Sequence, residues 1–233
     1  MEIDSDALPA DDAQKQAPTE ILPEIEMYLC NTLLSTLLRE GLIQPACELG
    51  THFMERCRSF NRRSLDPLTA KCAYYLSLAH ERAGCLGKVR DLLLAMYRTA
   101  CVRHDEMTQA TCHNLLMRNL LAANLVAQAE SLLAKTTFPE SASNNQLCRH
   151  LYYTGRVQAI KLEYSDSYHQ LVQALRKAPQ EHSQGFSTDA LKLQCIVQLL
   201  MGEVPERSFF NTGSSAARAA LRPYLALTHA VRV

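Results

Sequence analysis

Residues 144–179, NNQLCRHLYYTGRVQAIKLEYSDSYHQLVQALRKAP, decide the fold. They read as two helices, 144–163 and 165–177, turned at Tyr164 and closed by Pro179, which cannot continue a helix. The same unit repeats on both sides. Upstream, Leu29, Leu33, Leu34, Leu37 and Leu38 recur at helical spacing, so a helix runs to Arg39 and stops at Gly41. A second helix is predicted over 43–60, with Pro45 in its first turn. Asp66 then offers a cap, with Pro67 as first helical residue, for a helix running to Ala83. Helices over 86–103, 107–122 and 125–135 follow. Downstream, 187–201 ends at Gly202, 209–215 is loop-like, and 216–231 forms a last helix kinked or interrupted at Pro223. The turns at Gly41, Gly84, Asn124, Tyr164 and Gly202 are 43, 40, 40 and 38 residues apart. A period near forty with two helices per period is the signature of a helical solenoid, in which each pair buries its apolar face against the next.

Composition supports an all-α protein. The 233 residues include only 8 Gly, no Trp and 6% aromatics, while Leu and Ala dominate, which disfavours β structure. Within 144–179, Gly155, Ser167, Leu171, Ala174 and Pro179 fall on the small, bulky and proline positions of the tetratricopeptide (TPR) template, whereas Leu151 and Gln158 stand where aromatics are usual. Gly155 lies inside a helix, where glycine costs about 1 kcal/mol relative to alanine. It is therefore read as a packing position, admitting close approach of the paired helix.

Net charge is zero, from 24 basic and 24 acidic residues, but unevenly distributed. Residues 1–26 hold eight acidic groups against Lys15 alone, leaving a surplus of seven positive charges over 27–233. Residues 1–23 are expected to be an acidic disordered arm and 24–233 a helical-repeat domain. The mildly basic body suits an acidic partner. Arg56, Arg58, Arg62 and Arg63 form its densest basic cluster. Position at a helix end explains them by the helix dipole, and a partner-binding patch is the functional reading. No aromatic interleaving accompanies them, so nucleic acid is not expected.

Nine cysteines fall singly, with no CxxC, so they read as small hydrophobes of a reduced cytosolic or nuclear protein. No apolar run is long enough to span a membrane. Glycine-rich phosphate loops, GxSxG and HExxH are absent. Cys101, His104, Cys112 and His113 are the nearest approach to a metal set, but they lack the two tight ligand pairs of structural zinc. Asp105 and Glu106 read as a solvated helix start. Of the Tyr74/Tyr75 and Tyr152/Tyr153 pairs, one ring of each is expected between repeats and the other at the surface. No catalytic residue, metal or cofactor is expected.

Longer stretches carry a resemblance. The run from Asn145 to Ser165, and Ala174 to Gln180, resemble the non-ATPase regulatory subunit 3 family of the 26S proteasome. Tyr97 to Asp105, Gln109 to Thr111, Phe138 to Glu140, Leu199 to Arg207 and Leu221 to Arg232 are similar to the same family in the same order. The resemblance covers about Leu29 to Arg232. It implies a right-handed stack of TPR-like helix pairs, the first part of a PCI subunit, and a non-catalytic scaffold role in the lid of the regulatory particle, which serves ubiquitin-dependent degradation. It also implies other PCI subunits and the small acidic lid subunit as partners, and a place in cytoplasm and nucleus. The family's winged helix has no counterpart here, since no βββ pattern occurs before Val233. The second reading is a free-standing TPR adaptor for peptide tails or chaperones.

Overall fold

Of the residues with left-handed backbone, five recur at intervals of about forty: Gly41, Gly84, Asn124, Leu162 and Gly202, at φ of 75°, 69°, 56°, 69° and 85°. At each, the following N–H reaches back to a carbonyl five residues earlier. These bonds are Leu42 to Leu37 at 3.0 Å, Cys85 to His80 at 2.9 Å, Leu125 to Leu120 at 2.9 Å, Glu163 to Gln158 at 3.0 Å and Glu203 to Gln198 at 3.0 Å. This is the Schellman closure of a helix C-terminus, and it reverses the chain within a few residues. The spacing of about forty is therefore a repeat of one hydrogen-bonded turn.

The computed structural model describes residues 22–60, 62–139, 141–179, 183–211 and 213–232. The helices are α1 (Pro23–Arg39), α2 (Ile43–Ser59), α3 (Asp66–Arg82), α4 (Leu86–Arg103), α5 (Glu106–Ala122), α6 (Val126–Lys135), α7 (Asn144–Ile160), α8 (Tyr164–Lys177), α9 (Gln184–Leu200), α10 (Arg207–Phe210) and α11 (Ser215–Arg232). A 3₁₀ turn, Arg63–Leu65, precedes α3, and no strand occurs among the described residues. The protein is an all-α helical-repeat solenoid. Each odd-numbered helix from α1 to α7 packs on its even-numbered partner, and α1, α3, α5 and α7 stack side by side. Further along, α9 leans mainly on α8 and is covered by α11. No described helix is long and apolar enough to cross a membrane. Of the expected acidic arm, residues 1–21 lie outside the described residues, while Pro23 already begins α1.

The core is distributed along the stack. A large cluster spans α1 to α5, including Leu34, Phe53, Leu76, Leu93 and Leu116. A second joins Met117, Leu121, Ala129 and Val157 across α5 to α7, and a third joins Cys195, Phe210 and Leu221. Side-chain amides tie neighbouring layers together. Asn31 Nδ2 donates to Leu68 O at 3.0 Å, Asn119 Nδ2 to Leu86 O at 2.7 Å and Gln146 Nε2 to Thr111 Oγ1 at 2.9 Å. Gly155 sits where α7 meets α8. A Cβ there would lie 3.2 Å from both Leu171 Cγ and the Ser167 carbonyl oxygen, and Ser167 Oγ donates to Gly155 O at 2.7 Å. Gly50 of α2 is tighter still, its Cβ position being 2.8 Å from Leu76 Cδ1. Glycine thus marks two close helix approaches, of which the sequence reading singled out only Gly155.

Several expectations change in detail. The fourth turn pivots on Leu162, and Tyr164 opens α8. Asp66 is the first residue of α3, its carboxylate turned to Arg103 instead of capping. Asp105 does cap, accepting from Thr108 N at 3.1 Å. The segment read as loop at 209–215 contains the end of α10, whose Phe210 is buried. α11 runs unbroken through Pro223, and its Leu221 is buried while Leu227 and Val231 remain exposed.

Leu162 is 70% exposed, so its side chain gains little burial in return for a conformation that disfavours a Cβ by about 1–2 kcal/mol. Leu162→Gly is expected to raise stability by about 0.5–1 kcal/mol; a lower urea midpoint would show that the side chain matters more than the backbone. Gly155→Leu should lower stability by about 1–3 kcal/mol through overpacking against Ser167 and Leu171, and an unchanged midpoint would refute the close approach.

Candidate functional site

The stacked odd-numbered helices form one wall of the solenoid, and a groove of about 430 Å³ opens along it between α3, α5, α7 and α9. Helical spacing supplies its lining. On α7, Arg149, Tyr152, Tyr153 and Arg156 fall three, four and seven apart, hence on one face. Asn114 and Arg118 are one turn apart on α5, facing Tyr74 and Glu81 of α3. Phe186 and Asp189 of α9 close the far side.

One of the three guanidinium groups is paired. Arg118 Nη2 pairs with Glu81 Oε1 at 2.8 Å, and Asp189 is held by Lys192 at 3.0 Å. Arg149 and Arg156 have no ion pair among the described residues. Between them Tyr152 packs edge-on against Phe186, with centroids 5.4 Å apart, and burial pushes both tyrosine hydroxyls above their usual range. Asn114 is only 4% exposed. Its Nδ2 donates to the backbone oxygen and Oε1 of Gln146 at 2.9 and 2.8 Å, while its Oδ1 is buried with no donor. An amide oxygen in that state calls for an N–H or O–H from a ligand or a water. The chemistry assembled here is that of binding: guanidinium forks for carboxylates, an acceptor for a peptide N–H and rings for apolar contact.

The basic cluster is elsewhere, at the edge where α2 ends and α3 begins. Arg56 and Arg58 occupy the last turn of α2, Arg62 is extended and Arg63 opens the 3₁₀ turn. Two acids of α1 reach across to it. Glu26 pairs with Arg56, and Glu24 pairs with Arg62 at 3.3 Å and accepts from Ser64 Oγ at 2.6 Å. The Ser64 hydroxyl and Arg62 help hold the Glu24 carboxyl below its usual range. Arg58 and Arg63 have no ion pair among the described residues.

The cysteine–histidine run does not converge. Cys101 is half-buried on α4, His104 is the exposed left-handed cap of that helix, and burial pushes the Cys112 thiol up to about 12. His113 turns into the core, its Nε2 3.1 Å from Thr136 Oγ1 and its ring 5.1 Å from that of His150, which stacks on Phe138 at 4.2 Å. Among the described residues, no three His, Cys, Asp or Glu groups are placed to share a metal ion. The tyrosine expectation is also revised: all four rings are half-buried, and Tyr152 and Tyr153 both face the groove. The groove arginines were missed. Arg149 and Arg156, seven apart around a tyrosine pair, were the available signal, but it has meaning only once α5 and α9 are known to lie alongside.

Residues 1–228 match the family described as PSMD3-like, N-terminal TPR repeats. The chain belongs to this family. Relatives include the 26S proteasome non-ATPase regulatory subunit 3 of Dictyostelium discoideum, 45% identical over 95% of this chain and 45% of its own length. Homolog A of the same subunit in Arabidopsis thaliana is 40% identical over 100% of this chain and 46% of its own. The chain thus spans about half the length of these relatives. A crystal structure of nearly identical TPR-like repeats from Podosopora anserina superposes with a TM-score of 0.57 at 16% identity, over 91% of this chain and 99% of the other, and shows the fold alone.

His113 and His150 generate a pH dependence. Burial lowers both to about 4, with the nearby His150 also opposing charge on His113, so both are neutral in the folded protein at pH 6. The unfolded chain takes up these protons near pH 6.5. Stability is therefore full above that pH and declines as pH falls toward about 4, by up to roughly 3 kcal/mol per histidine. Urea midpoints measured from pH 7 to pH 4.5 should fall, and His150→Phe, which keeps a ring against Phe138, should flatten the slope. A wild-type midpoint independent of pH would contradict this assignment.

Proposed function

We propose that this chain is a non-catalytic scaffold segment of the lid of the 26S proteasome regulatory particle, acting in cytoplasm and nucleus in support of ubiquitin-dependent degradation. Kinship supports the complex, because the relatives are named as its non-ATPase regulatory subunits. The observation that carries the role is the groove, where unpaired Arg149 and Arg156 flank Tyr152 and Tyr153 above the orphaned Asn114 Oδ1. Such a surface holds an extended acidic segment: carboxylates pair with the guanidinium forks, and apolar side chains lie on the Tyr152 and Phe186 rings. Neighbouring PCI subunits and the small acidic lid subunit are the partners this reading assigns, with the latter in the groove.

The test is co-purification of the tagged chain with lid subunits from cells, followed by titration of the purified acidic subunit. Arg149→Glu with Arg156→Glu should weaken its binding by at least about tenfold, and added salt should weaken the wild type. Recovery without any lid subunit, together with tight binding of unrelated peptide tails, would instead make the chain a free-standing adaptor. Affinity unmoved by salt or by the double substitution would overturn the groove assignment.

A further inference from the structure

A second concavity, of about 390 Å³, lies at the edge of the stack between the C-terminal turns of α2 and α4. Its floor is apolar and fully packed from below by Met54, Leu65 and Met96. Its deep polar end is anionic. Asp66 is tied to Arg103 at 3.3 Å, and Asp105 is engaged by Thr108 N. Burial and the neighbouring charge of Asp105 push the Asp66 carboxyl up, so a further anion seated there would be repelled. The mouth is cationic, with Arg58 and Arg62 on the wall and Arg63 on the adjoining 3₁₀ turn. Among the described residues, Arg62 alone of these three has an ion pair.

This layering selects a ligand. An apolar group suits the floor, carboxylates suit the rim, and a free phosphate or a nucleic-acid backbone is disfavoured at the deep end. The protein itself shows that the rim accepts carboxylates, since Glu24 and Glu26 seat on Arg62 and Arg56 across the same edge. We propose that this pocket docks a short linear segment of a partner protein in which one aliphatic or aromatic side chain is flanked by carboxylates. The apolar side chain enters over Met54 and Met96, and the flanking carboxylates pair with Arg58 and Arg63, which have no ion pair among the described residues. The contact is separate from the groove and does not rest on the acidic subunit occupying it.

A fluorescein-labelled synthetic peptide with one leucine between aspartates and glutamates, titrated with the full chain and followed by anisotropy, tests the site. Binding is expected, and three changes should each weaken it by about tenfold or more. These are leucine to asparagine in the peptide, Arg58→Glu with Arg63→Glu, and Thr99→Trp, which fills the mouth from an exposed position and so leaves the fold intact. Arg149→Glu with Arg156→Glu should leave this binding unchanged, separating it from the groove. No binding at millimolar peptide, or equal binding by Thr99→Trp and by the asparagine peptide, would overturn the proposal. So would a concentration-dependent dimer abolished by Thr99→Trp, which would assign the pocket to a second copy of this chain.

Discussion

A residue held in the left-handed region at the end of each first helix is the constraint on which this structure depends. Only there can the next N–H turn back to the carbonyl five residues earlier, as Leu42, Cys85, Leu125, Glu163 and Glu203 all do. From α1 to α8 the closure leaves only three residues between the helices of a pair, so the second helix lies antiparallel against the first. The outcome is regular: α1, α3, α5, α7 and α9 each run for 17 residues, about 26 Å. Equal lengths keep the helix ends nearly flush. The Glu24–Arg62 pair and the Arg103–Asp66 pair can therefore meet along one edge although they come from different layers.

Much of this was legible in the residues. Gly41, Gly84 and Gly202 announced their turns because glycine is the residue that adopts positive φ without penalty, and Asn124 because asparagine tolerates it. Leu162 gave no such signal. Nothing in a leucine suggests a left-handed backbone, and the tyrosine two residues on looked as good a boundary. Asp66 misled for a related reason. Its position before Pro67 fits an N-cap, but the carboxylate finds Arg103, which lies 37 residues away in sequence and is brought close only by the stacking of α4 on α3. The candidate sites divide in the same way. Arginines adjacent in sequence were visible as a cluster, whereas Arg118 joins Arg149 and Arg156 only where α5 and α7 pack. The two acids from α1 that neutralise Arg56 and Arg62 were counted as part of an acidic arm, with no indication that their helix would lie over the cluster.

The distributed core gives the chain a long surface, because no single layer encloses it. Each layer buries a modest apolar set against its neighbours, and the polar groups between layers are taken up by cross-layer amide bonds from Asn31, Asn119 and Gln146. Several buried polar atoms still lack a partner among the described residues, Asn31 Oδ1 and Gln194 Oε1 among them, and three gather at one junction. The buried His113 and His150 leave Nδ1 atoms without partners inside the α5–α7 interface, where burial keeps the rings neutral. Asn114 leaves its Oδ1 unmatched on the groove side of the same interface. One junction thus holds both an acid-sensitive packing element and the acceptor of the candidate binding surface.

The joint after α7 has a mechanical meaning. From α1 to α7 the inner helices bear directly on one another, but α9 is carried chiefly by α8, and its own apolar cluster is the small one of Cys195, Phe210 and Leu221. Phe186 and Asp189, the far wall of the groove, ride on α9, while Arg149 and Tyr152 ride on α7. The width of the groove is consequently set by how α9 sits between α8 and α11, with Tyr152 against Phe186 as the contact across it. Any shift of α9 relative to α7 would change the separation of Phe186 from Tyr152, so the far wall of the groove is the one that the last repeat positions.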